Sequence, residues 1–206
     1  MATIRSATPI TSSLPLTVLI GASAGGIEAL NRILPALPAD YPAAVVVVLH
    51  QPSEGPSLLV DVFGPRVRLL TKEADEKEPL VAGVLYFAPP GYHLLIETDG
   101  TLALSVDEPV LFCRPAIDVL FDSAAQSLGD RAIGVVLTGA NDDGAEGLLR
   151  ISSCGGQSIV QDPQDALVAT MPEAAIKAVP AAKILSATAI GQWLATLQPG
   201  GRYGAQ

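Results

Sequence analysis

Apolar runs alternate with amphipathic stretches along most of the chain. Residues 43–49 (AAVVVVL) and 132–137 (AIGVVL) are almost entirely apolar, which indicates strands that are buried on both faces of a parallel sheet. Residues 27–34 (IEALNRIL) instead repeat their apolar side chains at helical spacing. This alternation predicts a doubly wound α/β fold with three α/β/α layers and a mostly parallel sheet. The predicted strands are 16–22, 43–49, 67–70, 84–87, 92–97, 102–105, 132–137, 158–161 and 182–185, and the predicted helices are 27–34, 56–63, 115–128, 145–153, 172–178 and 190–197.

Closely spaced turn signals interrupt the middle of the chain. The segments 84–87, 92–97 and 102–105 are separated by a Pro-Pro-Gly sequence and by an Asp-Gly pair. Short strands joined by such turns are typical of antiparallel pairing. The sequence therefore predicts an antiparallel hairpin extension of the main sheet.

The length of 206 residues suits one α/β domain, which we place over 15–197 between a flexible leader (1–14) and a flexible tail (198–206). The formal net charge of −9, without a Lys/Arg cluster, argues against nucleic acid and anionic membranes as partners. No apolar run reaches membrane-spanning length and no signal peptide is evident, so we expect a cytoplasmic protein. Cys113 and Cys154 match no metal-binding spacing and suggest buried thiols, although a disulfide stays open. We expect no metal and no cofactor.

A serine occupies the turn between the first strand and the first helix. Residues 21–25 (GASAG) fit the G-x-S-x-G pattern, in which small neighbours permit a sharp turn with the serine hydroxyl at its apex. The start of the following helix can stabilise a developing negative charge there. Two other interpretations stay open, because Ser23 could cap the helix or the turn could cradle a phosphate. The dinucleotide pattern fails at Ser23, and no Gly-Lys-Ser/Thr sequence indicates a P-loop.

Polar residues capable of chemistry follow three of the buried strands: Ser23, His50, and Asp142 or Asp143. Sites in open α/β sheets form at the carboxyl ends of the strands, so these residues can converge. A nucleophilic serine needs a base, and the base needs an acceptor that fixes its tautomer. Taken singly, the histidine could merely pack and donate to a carbonyl, and either aspartate could serve a helix N-terminus. The other histidine, His93, lies within the predicted antiparallel segment and is predicted to be structural or at the rim.

Six motifs follow one another along the chain: 21–26 (GASAGG), 49–52 (LHQP), 86–93 (YFAPPGYH), 114–121 (RPAIDVLF), 137–139 (LTG) and 143–145 (DGA). With these motifs, the chain from about Leu16 to Leu197 resembles the catalytic domain of the CheB-type protein-glutamate methylesterases. The resemblance implies a doubly wound α/β fold, with Ser23 as the nucleophile, His50 as the base and Asp143 as the orienting carboxylate. It also implies hydrolysis of glutamate γ-methyl esters on chemoreceptors to glutamate and methanol, and in some members deamidation of glutamine.

Several positions depart from the family pattern. Ala24 stands where many members have threonine, the turn 139–141 reads Gly-Ala-Asn instead of Gly-Met-Gly, and Cys113 precedes Arg114 where histidine is frequent. Backbone amides near Ala24 and Ala140 are predicted to hold the oxyanion. Arg114 is predicted to line the pocket rim and meet substrate carboxylates, or else to form a surface ion pair.

Three hypotheses follow for function. The first is a serine esterase that acts on a methylated chemoreceptor-like protein or a related signalling protein. The second is a non-catalytic module that binds such a partner, because the altered turn affects the oxyanion pocket. The third is a nucleotide-binding domain. The leader is too short for the N-terminal phospho-receiver domain of the family, so we expect a standalone catalytic domain.

Overall fold

The computed structural model describes residues 14–51 and 57–198. The predicted leader up to residue 13 and the predicted tail from residue 199 lie outside the described residues. The boundaries proposed for these two segments therefore stay predictions. No helix within the described ranges is both long and apolar enough to cross a membrane.

The core of the fold is a seven-stranded sheet in which all neighbouring strands are parallel. The strands are β1 (Thr17–Ala22), β2 (Ala44–Leu49), β3 (Leu70–Glu73), β4 (Val84–Phe87), β5 (His93–Ile96), β6 (Leu102–Ser105), β7 (Ala132–Val136), β8 (Gln157–Gln161) and β9 (Lys183–Leu185). The sheet order is β3–β4–β2–β1–β7–β8–β9, and β5 pairs with β6 in a separate antiparallel sheet.

Helices cover both faces of the sheet, as predicted. They are α1 (Gly26–Ile33), α2 (Leu59–Phe63), α3 (Ile117–Leu128), α4 (Ala145–Ser153), α5 (Thr170–Ala178) and α6 (Ala187–Leu194), with 3-10 turns at Leu34–Ala36 and Gly129–Arg131. Side chains of α1, α2 and α6 belong to one hydrophobic cluster, and those of α3, α4 and α5 belong to the other. In β2, Val45 and Val47 belong to the first cluster while Val46 and Val48 belong to the second. The continuous apolar run of β2 thus reflects burial on both faces.

Two local predictions are wrong. The third strand is β3, over Leu70–Glu73, and not 67–70, because Val67 and Leu69 fill the core just before the ladder begins. As an edge strand β3 tolerates the partly buried polar side chains of residues 71–73, so the apolar pattern did not reveal it. The strand β4 pairs in parallel with β2 and β3 and is not part of an antiparallel extension. Only β5 and β6 form the hairpin.

The register of the central strands sets the position of the site. Ala22 of β1 lies beside Leu49 of β2, and Gly21 lies beside Val136 of β7, so the three strands end at one level. In the sheet β1 lies between β2, which follows it directly in the chain, and β7, which comes much later. The strand order therefore reverses at the carboxyl end of β1, which is a topological switch point.

Candidate active site

Ser23 is the first residue after β1, in a tight turn that leads into α1. Its N–H donates to the carbonyl of Thr138 (3.0 Å), and its carbonyl accepts from Gly26 (2.8 Å). Gly25 is the N-cap residue of α1 with φ 82°, and no side chain caps this helix. The alternative in which Ser23 caps α1 is therefore wrong. The left-handed backbone at Gly25 explains why the turn requires glycine there.

His50 follows β2 and faces a buried carboxylate. Its Nε2 lies 2.8 Å from Oδ2 of Asp143, which is fully buried, and the histidine side chain is 11% exposed. Backbone N–H groups at the start of α3 bind both oxygens, from Ile117 to Oδ2 (2.7 Å) and from Asp118 to Oδ1 (2.9 Å). Because the carboxylate is the acceptor in all three contacts, Nε2 carries the proton and Nδ1 presents its lone pair. His50 therefore bonds a carboxylate rather than a backbone carbonyl.

The two neighbouring aspartates occupy different environments. Asp142 is exposed, whereas Asp143 is buried against His50. Asp143 does serve a helix N-terminus, but it is the N-terminus of α3 and not that of α4, which follows it in sequence. Asp143 therefore contacts His50 and a helix N-terminus at once, although the sequence analysis treated these two contacts as alternatives.

Asp118, at the start of α3, accepts in turn from the start of α4, and the sequence analysis did not assign it to the site. Its Oδ1 accepts from Gly144 (2.9 Å) and Gly147 (2.7 Å) at the start of α4. The pKa of Asp118 is raised to about 6, mainly by burial and with a smaller contribution from the nearby Asp143 carboxylate. The only signal in the sequence was an acidic residue in the first turn of α3, and that pattern predicts a contact with the N-terminus of α3 rather than that of α4.

Cys113 is the second residue that the sequence did not assign to the site. Its Sγ lies 3.5 Å from Nδ1 of His50 and 3.6 Å from Nδ2 of Asn141. Burial raises the pKa of the Cys113 thiol, with a smaller contribution from the Asp143 charge. Both cysteines are free, with Cys113 half-buried and Cys154 exposed, so the prediction of buried thiols is wrong. Cys113 lies in the loop before α3 and Cys154 at the C-terminal end of α4, whereas the prediction relied on the general preference of cysteine for cores.

Ser23 and His50 line one cleft of about 580 Å³, together with residues of α1 that include Glu28 and Arg32. Within residues 14–51 and 57–198, the Ser23 hydroxyl forms no hydrogen bond. At rest, then, Nδ1 of His50 faces the Cys113 thiol rather than the serine.

The turn after β7 lies directly against Ser23. A Cβ atom added to Gly139 would lie 2.9 Å from the Cβ of Ser23 and would overlap Met171. The N–H of Gly139 donates to Val168 (3.1 Å), whereas the N–H groups of Ala24 and Ala140 bond to no other described residue. Both residues are exposed, so the two positions at which the sequence predicts oxyanion donors each carry a backbone N–H that bonds to no other described residue.

Arg114 lines a second cavity, of about 320 Å³, which His50 and Phe112 also border. Its Nη1 donates to the carbonyls of Val106 (2.9 Å) and Asp107 (3.0 Å). Among the described residues Arg114 forms no ion pair, and the surface ion-pair alternative stays a prediction. Its contact with a substrate carboxylate stays a prediction.

His93 has a structural role, as predicted. It is 1% exposed, Ala116 donates to its Nδ1 (3.2 Å), and its Nε2 lies 3.1 Å from the carbonyl of Glu108. Because Nδ1 accepts, Nε2 is the donor to Glu108. The ring thereby joins β5 to the loop that precedes α3.

Comparison with known proteins agrees with this architecture. A family model described as CheB methylesterase matches residues 18–194. A putative protein-glutamate methylesterase/protein-glutamine glutaminase of Leptospira interrogans is 45% identical over 175 residues, which cover 85% of this chain and 91% of the relative. A protein-glutamate methylesterase/protein-glutamine glutaminase of Symbiobacterium thermophilum is 39% identical over 82% of this chain and 46% of its own length. The crystal structure of the Thermotoga maritima CheB methylesterase catalytic domain superposes with a TM-score of 0.82 at 32% identity, covering 87% of this chain and 97% of that one. The chain belongs to the CheB methylesterase family.

Proposed function

We propose that this protein hydrolyses glutamate γ-methyl esters on a chemoreceptor-like protein, releasing methanol and leaving glutamate. The observation that carries the proposal is the 2.8 Å contact between His50 Nε2 and the buried Asp143 carboxylate, beside the cleft that holds Ser23. The names of the relatives support the substrate class and add glutamine deamidation as a second reaction. A cytoplasmic location and a signalling partner belong to the same proposal.

In the proposed mechanism the Ser23 oxygen attacks the ester carbonyl and its proton passes to Nδ1 of His50. No described residue holds the hydroxyl, so a rotation about the Cα–Cβ bond can turn it toward the base. Asp143 stabilises the imidazolium, which then protonates the departing methoxide. Water repeats the sequence on the acyl-enzyme to release glutamate.

The exposed N–H groups of Ala24 and Ala140 supply the donors for the oxyanion in this mechanism. Ala24 directly follows Ser23 in the chain, and Ala140 directly follows Gly139, which lies against Ser23. Backbone donors do not depend on the side chain at the altered position, so the change from the family's Gly-Met-Gly turn leaves a donor in place. This argues against the alternative of a non-catalytic binding module.

Cys113 is the rival nucleophile, because its sulfur faces Nδ1 of His50. The pKa of its thiol counts against it, because burial raises this pKa and so reduces the thiolate fraction.

The test is methanol release from a synthetic peptide that carries a glutamate γ-methyl ester. Ser23→Ala should lower the rate by at least about 10³-fold, since loss of a triad nucleophile costs this much or more in serine hydrolases. Cys113→Ala should retain most of the activity. If the losses are exchanged between the two variants, Cys113 is the nucleophile. If the parent protein binds the peptide but releases no methanol, the binding-module hypothesis replaces the esterase.

A further inference from the structure

The Cys113–His50 pair has the spacing of two ligands on one zinc ion. Zinc lies about 2.3 Å from a cysteine sulfur and about 2.0–2.1 Å from an imidazole nitrogen, usually in tetrahedral geometry. These bond lengths at a tetrahedral angle put sulfur and nitrogen about 3.5 Å apart. The separation between Sγ of Cys113 and Nδ1 of His50 is 3.5 Å. Zinc can therefore replace the thiol proton with little movement of either side chain.

The surroundings of His50 prepare Nδ1 for a metal. The proton sits on Nε2, which donates to Asp143, so the lone pair at Nδ1 points to the thiol. A carboxylate that binds the second nitrogen is the usual support of a zinc-bound histidine. The ligating atoms of His50, Cys113 and Asp143 lie within 4.8 Å of one another. Both Asp143 oxygens already accept from α3, so this residue orients the histidine and is not itself the ligand.

We propose that Cys113 and His50 form an inhibitory zinc site in the active centre. This inference rests on the proposed function, because zinc at Nδ1 occupies the lone pair that would accept the proton of Ser23. Binding breaks the S–H bond of Cys113, releases its proton to solvent and forms one Zn–S and one Zn–N bond, with no change of oxidation state. Water completes the coordination, since two protein ligands leave positions open.

The ligand set selects zinc over the abundant hard cations. A thiolate and an imidazole suit Zn²⁺, whereas Mg²⁺ and Ca²⁺ prefer oxygen ligands. The two residues are 63 positions apart, so the sequence shows no metal-binding spacing. Their contact depends on the loop before α3 returning to the end of β2.

The first experiment measures methanol release by the purified full chain from the γ-methyl ester peptide while ZnCl₂ is titrated. Each variant is compared with its own zinc-free rate. Zinc should inhibit the parent protein, and EDTA should restore the rate. Cys113→Ser should raise the zinc concentration for half-inhibition by at least about tenfold, as expected when a metal ligand is lost. Cys154→Ser is the matched control, because it removes the other, exposed thiol, and it should inhibit like the parent. MgCl₂ should have no effect.

The second experiment does not need catalysis. Co²⁺ bound to a thiolate gives a charge-transfer absorption in the near ultraviolet, which should appear in the parent and in Cys154→Ser but not in Cys113→Ser or Cys113→Ala. Equal zinc inhibition of the parent and Cys113→Ser, or a cobalt band that survives in both Cys113 variants, would overturn the site. The expected cobalt bands without methanol release from any variant would instead reject the proposed esterase function and keep the metal site.

Discussion

Replacing Asp143 by asparagine tests its contact with His50 and its contacts with α3 in one variant, because only one carboxylate oxygen is exchanged for an amino group. The carboxylate is fully buried and accepts three hydrogen bonds, from His50 (2.8 Å), Ile117 (2.7 Å) and Asp118 (2.9 Å). An amide of the same shape keeps one acceptor oxygen and turns its amino group toward the N–H of either Ile117 or Asp118. One buried donor of α3 is therefore unsatisfied in both orientations, which costs about 1–3 kcal/mol of unfolding free energy.

The effect on catalysis should be larger than the effect on stability. In both orientations the negative charge that stabilises the His50 imidazolium is gone, and in one of them the amino group favours the tautomer with the proton on Nδ1. The comparable change in serine proteases lowers kcat by about 10⁴-fold. We expect a loss of about 10²–10⁴-fold in kcat for Asp143→Asn, measured as methanol release, beside urea denaturation for the stability.

Asp142→Asn is the matched control, because Asp142 is the exposed neighbour of the same residue type. It should change the unfolding free energy by less than about 0.5 kcal/mol and leave kcat nearly unchanged. If Asp142→Asn abolishes activity while Asp143→Asn retains it, the assignment of the orienting carboxylate fails.

Two further predictions concern the elements around the triad. Gly139→Ala should lower the unfolding free energy by about 1–3 kcal/mol, measured by urea denaturation, because the added methyl overlaps Met171. It should also lower kcat for methanol release, because the same methyl crowds the Cβ of Ser23. An unchanged kcat would show that this turn does not belong to the oxyanion site. For Asp118 the folded-state pKa of about 6 lies above the unfolded value of about 4, so its favourable contribution is complete below about pH 4 and is lost as pH rises through 6. The stability of the parent relative to Asp118→Asn should therefore fall by about 1–3 kcal/mol between these limits, and a difference that is flat with pH, or that rises, contradicts the raised pKa.

The parallel sheet could be predicted because a strand that is buried on both faces appears in the sequence as a continuous apolar run. A strand such as β2 has no polar position on either face, and the ends of parallel strands necessarily share one edge of the sheet. The convergence of Ser23, His50 and an aspartate followed from that geometry. The edge strand β3 shows no such pattern, because its polar residues Thr71, Lys72 and Glu73 are only partly buried.

The contacts that complete the site could not be predicted, because each joins residues that are distant in sequence. Local pattern favours Asp142 and Asp143 equally as helix N-terminal carboxylates of α4. Only the packing of α3 against α4 makes Asp143 the acceptor for α3 and Asp118 the acceptor for α4. The approach of Cys113 to His50 likewise depends on a loop whose course has no periodic signal.

The anchoring of Asp143 has a consequence for how the site is controlled. Two backbone donors of α3 and the imidazole fix both carboxylate oxygens, so the carboxylate cannot rotate without losing buried hydrogen bonds. The proton of His50 is thereby held on Nε2, and only the partner of Nδ1 can change. At rest this atom faces the Cys113 thiol; in the proposed reaction it must accept from Ser23, and in the proposed inhibited form it binds zinc. Competition at one nitrogen, rather than movement of the triad, is therefore the simplest form of control that this geometry allows.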